Sequence, residues 1–249
     1  MKEKNLKQAI FCMAILTSTL MSSALGANSS NQNETISEKE ESKARQELIA
    51  LYEQHARTPS DIYEHIPVLR KLANECSSTV EIGVRSLVST WGIILGLAES
   101  SSVDPFYLGI DLHMPPTDKL YLIERLASAN GVNCQFHEGN DMNIDIPQTD
   151  MLFIDSLHTY CHLTYELNKF SPYVNKYITL HDTSAPWGNN DDADYNGDFS
   201  EYPPEIDKTK RGLWPAVLDF LSSHPDWKLH ERRLNNHGFT TLKRVYELD

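Results

Sequence analysis

The stretch Asp150-Met151-Leu152-Phe153-Ile154-Asp155-Ser156-Leu157-His158-Thr159-Tyr160 decides the fold. Its apolar run ends in an acid, and a second run, Tyr177 to Leu180, ends in His181-Asp182. Short unbroken apolar runs suit strands covered on both faces, the situation of a parallel sheet. Ligands of such sheets bind outside the carboxyl ends of the strands. The two runs therefore place an acidic, metal-capable site at the carboxyl edge of a parallel α/β sheet.

Runs of the same kind recur upstream at Thr79 to Ile82, Phe106 to Ile110 and Val132 to Phe136. They alternate with amphipathic stretches at Thr90 to Ala98, Lys119 to Ala129 and Tyr160 to Phe170. That alternation predicts βαβ units, and right-handed crossovers then wind helices onto both faces of the sheet. Downstream the pattern changes to a helix over Leu213 to Leu221, followed by Trp227 to Arg233 and Phe239 to Val245. The turn Asn235-Asn236-His237-Gly238 joins the last two as an antiparallel hairpin. Ahead of the first strand, Ala44 to Gln54 and Ile62 to Ala73 have helical apolar spacing, with a break at Pro59-Ser60-Asp61. The expectation is a doubly wound, mostly parallel α/β domain over 77–249, preceded by two helices within 44–76.

The 249 residues, 40% of them apolar, suffice for one large core. With 22 basic and 35 acidic residues the net charge is −13, which disfavours nucleic acid and anionic membrane surfaces as partners. Lys2, Lys4 and Lys7, an apolar run from Ala9 to Leu20 and small residues up to Ala27 form a signal-peptide pattern, with cleavage after Gly26. The expected address is periplasmic or secreted, with no stable membrane association after cleavage and the cytoplasm as the alternative. Residues 27–43 are polar and poor in apolar side chains, the composition of a disordered linker. Cys76, Cys134 and Cys161 remain, an odd number without a C-x-x-C pair, so neither a zinc knuckle nor a disulfide framework is predicted.

Four motifs follow the strands. Glu81-Ile82-Gly83 leads through Ser89-Thr90 into a helix, where glycine lets the backbone approach a ligand, or else simply makes a tight strand-to-helix turn. Asp111 closes the second run, a place where an acid accepts ribose hydroxyls. Glu138-Gly139-Asn140-Asp141 follows the third, and Asp155-x-x-His158-x-Tyr160 the fourth. Their order resembles the class I S-adenosylmethionine-dependent methyltransferases. The likeness is to the branch with an ID-x-x-H-x-Y fourth strand and an HD or ED fifth, which includes sugar and antibiotic O-methyltransferases and cephalosporin-hydroxylase-like proteins. Gly212-Leu213-Trp214-Pro215 and Asn236-His237-Gly238-Phe239 resemble that branch's last helix and hairpin, and the likeness spans Val80 to Arg244.

The resemblance implies a seven-stranded Rossmann-like methyltransferase sheet and S-adenosylmethionine as cofactor. Glu81, Gly83, Ser89 and Asp111 would hold its methionine and ribose parts, with Asn140 or Asp141 near the adenine. Leu87 and Val88 depart from the pattern, because the family has glycine there. Asp155, His181 and Asp182 would ligate a divalent cation, magnesium by the family's habit, with histidine favouring manganese or zinc. His181 is equally readable as a hydrogen-bonded histidine without metal. His158 would be the general base beside Asp155, or else a helix-start residue bonding a carboxylate. The reaction implied is metal-assisted O-methylation of a small hydroxylated acceptor. An exported, non-catalytic methyltransferase-like binding domain and a metal-dependent hydrolase or hydroxylase are the alternatives. The polar segment Ala185 to Lys210 has the length of a binding loop. Its Asp192-x-Asp194-x-Asn196-Gly197-Asp198 copies half a calcium loop, but Pro203 stands at position twelve, which favours a solvated acidic loop.

Overall fold

The computed structural model describes residues 27–192, 195 and 197–245. The signal-peptide pattern of 1–26 and two members of the calcium-like run, Asp194 and Asn196, lie outside these residues. Residue contacts divide the chain into one unit up to Glu40 and a second from Glu41. Helix α1 extends over Ala27–Arg57. It takes in the stretch expected to be a linker, since Glu, Gln, Lys and Ala favour helix.

In the second unit the elements follow the expected order. They are α2 (Ile66–Asn74), β1 (Ser78–Ile82), α3 (Val88–Glu99), β2 (Phe106–Asp111), α4 (Thr117–Ala129) and β3 (Asn133–Glu138). Next come β4 (Thr149–Ile154), α5 (Tyr160–Phe170), β5 (Val174–His181), α6 (Leu213–Ser223), β6 (Trp227–Arg233) and β7 (Phe239–Arg244). The helix expected from Ile62 begins with a separate 3-10 turn, Tyr63–His65, and becomes α-helical at Ile66 with Pro67 in its first turn. Proline lacks the N–H that an interior position would need, so it fits there.

The strands form one seven-stranded sheet in the order β3-β2-β1-β4-β5-β7-β6. β1 to β5 run parallel to their neighbours, and β7 is antiparallel to both β5 and β6. This is the Rossmann-like methyltransferase topology. Side chains alternate between two cores. Met151 and Phe153 join Leu48, Leu69, Ile94 and Leu126 on the side of α1 to α4, while Leu152 and Ile154 join Leu163, Leu167 and Val217 on the side of α5 and α6. β4 is buried throughout, whereas the edge strands β3 and β6 carry mostly exposed or partly exposed polar residues, which discourages pairing with other chains.

Helices α2 and α3 touch at backbone distance. A Cβ on Gly92 would sit 2.8 Å from the Ile66 carbonyl oxygen, and one on Gly96 2.3 Å from that of Arg70. Gly96→Ala is therefore expected to push the helices apart and destabilise the fold by about 1–3 kcal/mol. A thermal melt would register this as a loss of about 2–4 °C per kcal/mol.

Candidate active site

β4 and β5 are neighbours, so their carboxyl ends deliver Asp155 and His181-Asp182 to one place. Asp182 has φ +59, a left-handed turn that ends the strand. His181 Nδ1 lies 3.2 Å from both Asp155 Oδ1 and Asp182 Oδ2. His158, just ahead of α5, brings Nε2 to 2.9 Å from Asp182 Oδ2 and 3.8 Å from Asp155 Oδ1. The three metal candidates and the proposed base thus meet as the sequence suggested.

His181 is held from both sides. Its Nε2 lies 3.0 Å from the Asp61 carbonyl oxygen and 3.2 Å from that of Asn236. Carbonyls only accept, so Nε2 carries a proton. Nδ1 then either carries a second proton toward the carboxylates or offers its lone pair to a cation that they share. Burial pulls the His181 pKa down, but the charge and hydrogen bonding of Asp155 and Asp182 outweigh it and hold it well above the ordinary imidazole value. The same balance raises His158 to about 9. Asp155 and Asp182 are held below the usual carboxylate range because the two imidazoles outweigh the cost of burial.

The sequence reading missed a third histidine. His237, in the hairpin turn at φ +66, places Nδ1 3.2 Å from Asp182 Oδ1. The pair lacks hydrogen-bond alignment, so both atoms are buried without a hydrogen-bond partner. Its one signal was a bulky residue before Gly238 in a turn facing the sheet's carboxyl edge. Trp187, from the loop after β5, packs its ring 4.7 Å from that of His158 and 5.3 Å from that of His237.

The residues assigned to the cofactor divide. A Cβ on Gly83 would fall 2.0 Å from the Asp155 carbonyl oxygen, so glycine is required there by the approach of β1 to β4. Three alternate positions in the following loop are left-handed: Gly83 at φ +89, Arg85 at +46 and Leu87 at +67. Leu87 is buried, and Val88 begins α3 in ordinary helical conformation. Asp111 ends β2 beside this loop and accepts from the Arg85 backbone N–H at 2.7 Å and the His113 N–H at 3.1 Å. Arg85 also pairs with Asp61 through its side chain.

Glu81 and Ser89 turn inward instead. Ser89 Oγ donates to Glu81 Oε1, and Thr90 Oγ1 and Tyr107 OH donate to Oε2 at 2.9 and 2.5 Å. Burial pushes Glu81 up to about 7 against these bonds. α3 begins at Val88, and Ser89 and Thr90 in its first turn reach the buried carboxylate of β1. Asn140 is exposed and caps the turn Asp141–Asn143 by accepting from Met142 N–H. Asp141 is buried and bonds His162 Nε2 at 2.8 Å, a partner to which no sequence spacing points.

The long loop is anchored, contrary to the solvated segment expected. Tyr202 and Ile206 are buried in the core beneath α5 and α6. Asp191 Oδ1 accepts from the N–H of Tyr160 at 2.9 Å and of Gly212 at 2.7 Å, and Asp192 N–H donates to the His158 carbonyl at 2.8 Å. Asp198 accepts from the backbone and hydroxyl of Ser200. Its carboxylate thus closes a local turn.

The imidazole shifts give a sign to the pH dependence. His158 contributes stability that is complete below pH 6.5 and lost as pH rises through about 9. In the presence of a chelator, the melting temperature of the wild-type chain is expected to fall over that interval. His158→Gln, which keeps a donor toward Asp182 but does not titrate, should flatten the fall; an unchanged slope would contradict the assignment.

No protein-family model matches the chain, and no curated protein matches it. Solved structures do resemble it. One is the O-methyltransferase from Bacillus cereus in complex with SAH, at 13% identity over 82% of this chain and 91% of that one, with a TM-score of 0.49. A second is cofactor-bound Rv0187 from MTB, at 15% identity over 81% and 89%, with a TM-score of 0.48. A third is the O-methyltransferase TomG from Streptomyces achromogenes, involved in tomaymycin synthesis and solved with SAM, at 14% identity over 82% and 90%, with a TM-score of 0.47. At such identities these are similarities of fold.

Proposed function

We propose that the chain is a class I S-adenosylmethionine-dependent methyltransferase acting on a hydroxyl group of a small molecule. The observation that carries this reading is the crevice at the switch between β1 and β4, where the strand order reverses. There Gly83, Asp111 and Asp155 converge, and the loop after β1 is left-handed at Arg85 and at Leu87, the latter one of the two positions where the resembling family has glycine. Asp111 is the residue for the ribose hydroxyls. S-adenosylmethionine supplies an electrophilic methyl group.

One imidazole nitrogen and two carboxylates at Asp155, His181 and Asp182 fit a divalent cation, and the partnerless Asp182 Oδ1 leaves donor capacity in the site. Such a cation would acidify a bound hydroxyl. His158 Nε2 is the atom placed to take the acceptor's proton. Among the carboxylates alone it is protonated at neutral pH, so its work as a base needs positive charge from another source on Asp155 and Asp182. His181, fixed through Nε2 by two carbonyls, orients both carboxylates. Trp187 and the anchored loop cover His158 and limit its contact with water.

A second reading, an exported binding domain without catalysis, draws on the inward turn of Glu81 and Ser89 and on the Arg85 backbone already bonded to Asp111. The leader-like residues 1–26 support export in either reading. Titration calorimetry with S-adenosylmethionine and S-adenosylhomocysteine, with and without magnesium or manganese, separates the two. Binding of either ligand is expected, weakened about tenfold or more by Asp111→Asn. Silence with both ligands would overturn the methyltransferase reading.

Turnover, followed as S-adenosylhomocysteine released in the presence of a panel of hydroxylated small molecules, is expected to fall about 10²–10⁴-fold in His158→Gln. Cofactor affinity should stay within about twofold, since His158 is assigned only to the acceptor proton. Full activity in that variant would remove His158 from the chemistry.

A further inference from the structure

A second group of ionisable residues lies outside the site described above. His162 and Glu166 share one face of α5 at helical spacing, and Asp141 comes from the 3-10 turn after β3. His162 Nε2 lies 2.8 Å from Asp141 Oδ2 and 3.8 Å from Glu166 Oε1, and one donor atom from each of the three falls within 4.8 Å of the others. All three residues are buried, Glu166 completely.

Their remaining atoms are partnered in a consistent way. His162 Nδ1 lies 3.0 Å from Tyr202 OH, Asp141 Oδ1 accepts from Met142 N–H at 3.0 Å, and Glu166 Oε1 accepts from Ser156 Oγ at 2.7 Å. The exception is Glu166 Oε2, which has no hydrogen-bond partner. The Glu166 carboxyl lies against that of Asp141. Two buried carboxylates in contact share one imidazole, and the ammonium of Lys169 beside them bonds the backbone carbonyls of Asp141 and Met142, so the carboxylates themselves are short of directly paired positive charge.

We propose that Asp141, His162 and Glu166 form a divalent-cation site, separate from the one at Asp155, His181 and Asp182, and that its ion is zinc. One imidazole and two carboxylates are a zinc donor set, and three protein ligands leave a fourth position for water. The surrounding bonds match what orients metal ligands: the second nitrogen of His162 faces a hydroxyl, and Ser156 fixes one Glu166 oxygen. Glu166 and Ser156 also line a small cavity beneath Asp155, His158 and His181, which leaves about 10 Å³ for a water-sized molecule. That is room for about one water. Through Tyr202 the ion would tie the turn after β3 and α5 to the loop that covers the active site.

The test is zinc stoichiometry, measured with zinc sulfate against a chromogenic chelator on the full chain. Glu166→Gln is the informative variant, because its amide can donate to Asp141 and keep the cluster closed without metal. It is expected to bind one equivalent fewer than wild type and to lose the rise in melting temperature that zinc produces. The chain carrying both Asp155→Asn and Asp182→Asn should keep that equivalent and lose it when Glu166→Gln is added. His162→Asn, which removes a ligand from the same helix face, should repeat the loss. Equal stoichiometry in wild type and Glu166→Gln, or no zinc bound by wild type, would mean that Glu166 is merely protonated against Asp141, and would overturn the proposal. Cofactor binding is measured separately, so its failure would not be mistaken for failure of this site.

Discussion

Everything at the carboxyl edge of the sheet depends on how closely β1 approaches β4. Gly83 passes the Asp155 carbonyl so tightly that no side chain fits between them. This contact joins two strands that are far apart in sequence but adjacent in the sheet, at the place where the winding reverses. It sets the loop after β1 directly against Asp155. Asp155 is in turn fixed by His181, and His181 by the carbonyls of Asp61 and Asn236. The approach segment before α2 and the β6–β7 hairpin therefore meet at one imidazole.

The edge is also an electrostatic compromise. The chain carries a net charge of −13, yet among the described residues no lysine or arginine pairs directly with the carboxylates of Asp155 and Asp182; histidines do, and Arg85 acts on them only from a distance. An imidazolium can release its proton and yield the carboxylates to a metal ion at modest cost, whereas a guanidinium keeps its charge. The neutralising charge at this edge is thus a replaceable one.

Much of this was legible in the sequence. Strands β1, β2, β4 and β5 announce themselves as short, largely apolar runs because most of their residues are buried, and the acids after β2, β4 and β5 fall at the carboxyl edge by topology. The meeting of Asp155, His158, His181 and Asp182 followed. What escaped notice depends on contacts with no periodic trace. Glu81 and Ser89 bond each other because α3 starts at Val88, not Thr90. His237 enters the site through a turn torsion, and Asp141 turns to His162 across a turn and a helix. The loop after β5 looked solvated by composition, yet Tyr202 and Ile206, sparse among acids and prolines, bury it.

The left-handed backbone at Arg85 and Leu87 bears on how the loop is held. Side chains with a Cβ resist that torsion by about 1–2 kcal/mol each, so the loop's shape here is imposed by its surroundings. The Arg85 N–H is tied to Asp111 and the Leu87 side chain is sunk in the core. A bend kept against its own torsional preference behaves as a spring: freeing either anchor would let the backbone relax toward ordinary torsions and change what the loop presents at the end of β1.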